Sequence, residues 1–386
     1  MLKEKILIVS YYFYEENTPR SHRAFELARE LAKKYEVEVV TSKKNVPEIF
    51  FEQYGIKIIY LEKGFLLNKN VNSLNNIKKI QREKSLKSKI IKKIKNIYNY
   101  LFLDRQIEFS YFVYKYLKNV KDNKKAIISI AFPFSSHLGS YLGIRKNKKL
   151  TDNLILEYGD PFYYNKTLNI AYYFKIIEAL ILKKLKYIVL PIENAKEAFK
   201  KYKVENKIKI IPQGFDLSEY KLEEYKRNKV PTFIYAGVFY EKIRNPLNIL
   251  KLLNTIDKDY KFIIFSDIVT IEKMKSGKSI LEEIKKSKGK IEIRPLIPRK
   301  ECIIEMSKVD FLLNISNVNL EQSPSKLIDY GIAKRPILSF NQNNFNKEIF
   351  IEFLNGNYKN QEIIDLEKYD IKTIGKQYKK LIEKEE

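Results

Sequence analysis

Glu321 and Asp329 flank a seven-residue string, QSPSKLI, that holds Ser323, Ser325 and Lys326. Ser323 is a good helix N-cap, Pro324 suits the first helical position, and Lys326 falls in the first turn, so the spacing predicts a helix start here. A helix start presents free backbone N–H groups and the positive end of the helix dipole, and both attract phosphate. Glu321 then lies on the entering loop and Asp329 about two turns along the helix. Carboxylates placed in this way can hold the hydroxyls at both ends of a nucleotide sugar whose diphosphate sits at the helix start. The same string also describes an ordinary capped amphipathic helix with solvated acids.

The other residues able to do chemistry follow short apolar runs. In open α/β sheets ligands collect beyond the carboxyl ends of the strands, which is where such residues fall here. Arg20 and Arg23 follow ILIVS (6–10), His137 follows AIISI (126–130) with Ser135 and Ser136 as cap residues, and Asp160 follows LILEYG (154–159). Lys242 and Arg244 lie in the loop after TFIYAG (232–237). Each has a plainer reading: the cations as solvated surface charges, the histidine as a packing residue. Residues 10–24 contain no glycine, which argues against the glycine-rich turn of a dinucleotide-binding enzyme.

These positions require a frame of alternating strands and helices. ILIVS, the helical HRAFELARELAKKY and VEVVTS (37–42) form an opening βαβ unit. IKIIYL (56–61), a helix near 169–185, YIVLP (187–191), a helix at ENAKEAFKKY and KIKII continue the pattern. A Lys- and Glu-rich stretch, 218–230, reads as a linker. Beyond it TFIYA, YKFIIFSD, KIEIRPLI, DFLLNIS and ILSF repeat the alternation. The chain therefore reads as two parallel α/β domains, a division that 386 residues readily supports.

Composition narrows the function classes. The net charge of +26, from 73 Lys and Arg against 47 Asp and Glu, predicts attraction to anionic partners. Between residues 71 and 100, nine basic residues face the single acid Glu83, with isoleucines interleaved and a Tyr/Phe-rich run following. This segment, about 71–116, reads either as a packed surface helix or as a docking element for an anionic membrane. It matches no nucleic-acid-binding motif. One cysteine and two histidines exclude an internal disulfide framework and argue against a structural zinc site. No apolar run is long enough to span a bilayer.

The Glu321–Asp329 string, with its following Tyr330, small residues and Pro336-led ILSF, resembles the donor-binding motif of the retaining GT-B glycosyltransferases, family 4 in particular. Asp329 stands where that motif has a second Glu. The Ser-Ser-His and Asp-Pro loops of the first half, and IPQGFD before the linker, are similar to the same family. The resemblance implies two Rossmann-like domains facing across a cleft: an acceptor domain over 1–217, a nucleotide-sugar donor domain over 218–369, and a helix at 370–386 crossing back to the first. It implies Glu321 on the donor sugar, Asp329 on the ribose, and Lys242, Arg244, Ser323, Ser325 and Lys326 around the diphosphate. His137 and Asp160 would border the sugar and acceptor, with Arg20 and Arg23 as further acceptor or phosphate contacts. The implied activity is metal-independent transfer, without a cofactor, from a UDP- or GDP-sugar to a lipid-linked or growing cell-surface glycan at the inner face of the cell membrane. A nucleotide-sugar epimerase of the same fold and a non-catalytic membrane scaffold are the alternatives.

Overall fold

The computed structural model describes residues 3–14, 19–42, 46–62, 106–165, 170–316 and 325–384. The chain divides into one unit of residues 1–216 with 370–386 and a second of residues 217–369. The first contains, in chain order, β1 (Lys5–Ser10), α1 (Pro19–Ala32), β2 (Glu36–Ser42), α2 (Ile49–Glu52), β3 (Ile56–Leu61), α3 (Ile107–Asn119), β4 (Ala126–Ile130), α4 (Ser135–Lys146), β5 (Leu154–Glu157), α5 (Tyr173–Lys184), β6 (Tyr187–Leu190), α6 (Lys196–Lys200) and β7 (Ile208–Ile210). Its strands are hydrogen-bonded in parallel in the order β3-β2-β1-β4-β5-β6-β7.

The apolar runs form strands because both faces of the sheet are covered. Alternation along β1 sends Ile6 and Ile8 into one core, shared with Ala24, Leu27 and Leu31 of α1. Leu7 and Val9 enter the opposite core, with Phe109, Val113 and Leu117 of α3 and Ile181 of α5. Helix α3 takes up the end of the Tyr/Phe-rich run, so Phe109 is buried while Tyr111 points outward. The α3–α4 approach depends on Gly139 and Gly143. A Cβ at Gly139 would stand 2.6 Å from the Ser110 carbonyl oxygen, and one at Gly143 would stand 2.5 Å from Leu117 Cβ.

The second unit contains β8 (Thr232–Ala236), α7 (Leu247–Leu253), β9 (Lys261–Phe265), α8 (Ile268–Lys273), α9 (Gly277–Lys286), β10 (Ile291–Arg294), α10 (Arg299–Ser307), β11 (Phe311–Ser316), α11 (Ser325–Ile332), β12 (Ile337–Asn341) and α12 (Lys347–Leu354). Its parallel sheet has the order β10-β9-β8-β11-β12. The register aligns Phe262, Phe233 and Phe311 across three strands, and their rings stack at 4.5 and 4.7 Å. This aromatic row fixes the registers of β9, β8 and β11 against one another.

Helix α13 (Ile371–Glu383) belongs to the first unit. Asp370 caps it by accepting from the Lys372 N–H. Its buried face of Ile371, Ile374, Tyr378, Leu381 and Ile382 completes the core beneath α1. Two boundaries differ from the sequence expectation. Helix α1 begins at Pro19 rather than His22, and ENAKEAFKKY splits into a 3-10 turn, Glu193–Ala195, before α6. Among the described residues, no helix is long and apolar enough to cross a membrane.

Candidate active site

In the second unit the winding order reverses between β8 and β11, and the ends of such a strand pair are where a parallel sheet offers a ligand crevice. Tyr330 of α11 ties the two strands together at that point. Its hydroxyl accepts from the Ala236 N–H at 3.0 Å and donates to the Leu313 carbonyl at 3.1 Å. Gly237 follows β8 with φ +136°, a left-handed conformation that favours glycine. A Cβ here would also stand 1.9 Å from Lys326 Nζ. The missing side chain is the space that the lysine fills.

Lys326, in the first turn of α11, donates to the Tyr235 hydroxyl at 2.9 Å, and its ammonium lies 4.5 Å from that ring's centroid. Tyr235 is itself buried and stacks on Phe239 at 4.6 Å. Arg244 returns to this place because Tyr240 and Arg244 exchange backbone hydrogen bonds of 3.1 and 3.0 Å. Its Nη1 donates to the Val238 carbonyl at 3.5 Å. Burial, and then the like charge of Arg244, push the Lys326 pKa down to about 6. An anion arriving here would relieve both penalties. Lys242 is at the exposed tip of the same turn, which Gln342 braces by bonding to the Lys242 carbonyl and the Asn245 N–H.

Asp329 pairs with a residue that the sequence reading missed. Arg299, at the start of α10, donates to Asp329 Oδ1 from Nε at 2.9 Å and from Nη2 at 2.5 Å. The available signal was a cation opening a helix just beyond the end of β10. An open pocket of about 370 Å³ borders the same helix, lined by Phe265, Arg294, Ile297, Glu301, Ile304 and Glu305. Ser325 begins α11, and Glu321 and Ser323 lie outside the described residues.

The first unit brings Arg20 and Asp160 together. Arg20 Nη2 donates to Asp160 Oδ2 at 2.8 Å, and the guanidinium lies 5.0 Å from the Phe132 ring centroid. Arg23 is buried and paired with Glu157, whose other oxygen accepts from the Tyr378 hydroxyl of α13. Arg23 is thus built into the packing of α1, β5 and α13. His137 is fully buried on α4, with Nδ1 at 2.8 Å from Ser129 Oγ and Nε2 without a hydrogen-bond partner among the described residues. Burial pushes its pKa down to about 3, so the imidazole is neutral at physiological pH. A neutral ring can donate or accept one hydrogen bond at Nε2 but cannot offset phosphate charge.

No protein-family model and no curated protein matches the chain in sequence. Solved structures match it nearly end to end. A glycosyltransferase from Rickettsia africae superposes with a TM-score of 0.62 at 13% identity, covering 99% of this chain and 98% of its own. The lipopolysaccharide outer core galactosyltransferase WaaB gives 0.61 at 11%, covering 99% and 100%. Anabaena HepE in complex with UDP-glucose gives 0.56 at 10%, covering 98% and 99%. The fold is that of the GT-B glycosyltransferases. At these identities the likeness speaks for the fold alone.

Proposed function

We propose that the chain is a retaining glycosyltransferase that moves a sugar from a UDP- or GDP-sugar to a hydroxyl of a lipid-linked or growing cell-surface glycan. The carrying observation is the placement of Lys326 at the β8–β11 reversal, in the first turn of α11, filling the space over Gly237 and bonded to Tyr235, with Arg244 held in the adjoining loop. An amine and a guanidinium near one another at a helix start form a site that an anion stabilises, the amine taking up a proton as the anion binds. The complex of HepE with UDP-glucose supports a nucleotide diphosphate sugar as that anion.

In this reading Lys326, Arg244 and the N–H groups opening α11 carry the leaving diphosphate, with Lys242, Ser323 and Ser325 around it. Charge builds there as the C1–O bond to phosphate breaks, so stabilisation of the leaving group is the main electrostatic task. The acceptor oxygen bonds to C1 on the face the phosphate leaves, and its proton passes to the departing phosphate. Glu321 holds hydroxyls of the donor sugar. Asp329, steadied by Arg299, takes the ribose, and the neighbouring pocket beside Phe265 suits the flat base. The first unit supplies the acceptor side. There Arg20 and Asp160 form a polar pair for a glycan, and the fully buried His137 braces α4 against β4 through Ser129. The cations do the work of a divalent ion, so the reaction proceeds in EDTA and no cofactor is required. The net charge of +26 favours work at the inner face of an anionic membrane, with the 71–116 segment as one contributor.

The test is thermal stabilisation by UDP, GDP, ADP and their sugar conjugates, followed by transfer assays with the responding donor. One base class should stabilise the wild type by about 3 kcal/mol at a hundredfold excess over Kd. Glu321→Ala should abolish transfer without lowering the melting temperature. Silence towards every nucleotide, or full activity in Glu321→Ala, overturns the assignment.

A further inference from the structure

Helix α5 is apolar on its outward side as well as its inward one. Its only acid, Glu178, is buried, with Phe174, Ile181 and Leu182 on the same inward side. Ahead of its last turn, the residues most turned to solvent are apolar: Tyr172 just before the helix is 61% exposed, Tyr173 41%, Ile176 51% and Leu180 56%. At helical spacing these four fall within an arc of about 100°. Single exposed apolar residues are ordinary on a protein surface, but a contiguous face of them about two and a half turns long is not. Cations frame it. Lys183 and Lys184 are exposed in the last turn, and Lys175 lies 5.3 Å from the Tyr172 ring centroid.

We propose that this face of α5 docks on an anionic lipid bilayer. Tyr172, Tyr173, Ile176 and Leu180 enter the boundary between headgroups and acyl chains, and Lys175, Lys183 and Lys184 reach the lipid phosphates. Lysines are depleted from protein–protein interfaces, whereas an apolar stripe with flanking lysines and terminal tyrosines is what a membrane surface selects. Long lysine stems can lie along an apolar surface while their ammonium groups stay at headgroup level. The inward turn of Glu178 keeps the helix's one negative charge away from that surface. The inference rests on the membrane part of the proposed function and is independent of the donor site. It assigns the main docking contact to α5 and a lesser contribution to the 71–116 segment, of which residues 71–105 lie outside the described residues.

The experiment is co-sedimentation of the full chain with vesicles of phosphatidylcholine alone or mixed with phosphatidylglycerol. One variant carries Ile176→Glu with Leu180→Glu, and a second carries Lys87→Ser, Lys89→Ser, Lys92→Ser and Lys93→Ser. Wild type should bind the anionic vesicles and leave the neutral ones. The α5 variant should bind at least about tenfold more weakly with an unchanged melting temperature, while the lysine variant keeps most of its binding. If only the lysine variant loses binding, the α5 assignment is wrong and the membrane reading stands. If wild type binds neither vesicle, both are wrong. Equal binding to both vesicles removes the anionic lipid. A wild-type dimer that the α5 variant dissociates, without vesicle binding, assigns the face to a second copy of the chain instead.

Discussion

Lys326 is placed where its charge state depends on what lies beside it. With a pKa near 6 in the ligand-free protein, the amine is largely neutral at pH 7.5. A diphosphate next to it favours the ammonium and raises that pKa, so nucleotide binding should take up a proton. Calorimetry in buffers of different ionisation heat should give uptake approaching one proton at pH 7.5 and none in Lys326→Met. Wild-type binding without proton uptake would show that the diphosphate does not reach this amine. Gly237→Ala attacks the same contact from the backbone. With φ at +136° and a Cβ 1.9 Å from Lys326 Nζ, the substitution should cost about 1–3 kcal/mol and displace the lysine from Tyr235. Denaturant melts and nucleotide titrations should show both losses together. Lys326 and Arg244 could be singled out in the sequence because one falls in the first turn of a helix and the other in the loop after a strand, and Asp329 because of its spacing from Glu321. The sequence did not reveal Arg299 as the partner of Asp329, because their pairing joins the start of one helix to the middle of another 30 residues on and leaves no periodic trace.

Glu178 links a helix to a loop. Its Oε2 accepts from the Tyr202 hydroxyl at 2.5 Å and from the Tyr163 N–H at 3.1 Å, which fastens the segment after Asp160 to α5. Burial outweighs those hydrogen bonds and raises its pKa to about 7. Between the unfolded value near 4.5 and the folded value near 7, the folded chain binds the extra proton. The stability this group contributes is therefore full below about pH 4.5 and lost as pH rises through 7, by about 3 kcal/mol in all. Glu178→Gln keeps an acceptor for both donors and cannot ionise, so its melting temperature should fall less than that of wild type between pH 5 and 7.5. Parallel curves for the two proteins would remove Glu178 as the titrating group. The strands themselves were plain in the sequence, since runs such as AIISI and FLLNIS are buried on both faces. Helix α5 was plain as a helix but not in its orientation. A helix with apolar residues on both sides offers periodicity no single inward face, and the neighbours of Glu178 settle which side is in.

Two kinds of attraction for anions coexist on the whole molecule, and salt separates them. The excess of 26 positive charges draws any polyanion, but between exposed groups that attraction is screened beyond about 8 Å at physiological ionic strength. Lys326 and Arg244 are only partly exposed, and partly buried charges are screened much less. Binding of a labelled polyphosphate, followed by anisotropy, should therefore fall on the order of a hundredfold or more between 50 and 200 mM salt. Nucleotide affinity should change by less than about tenfold over the same range. Lys326→Met removes one cation of the 73 Lys and Arg, so it should leave polyphosphate binding at its wild-type value while abolishing the nucleotide response. If both affinities instead fall in parallel with salt, and the variant weakens neither, the nucleotide is held by general surface charge and the switch-point site is not its binding place. If the two respond separately, the long-range field has collected anions near the protein, and one half-buried lysine has selected the diphosphate among them.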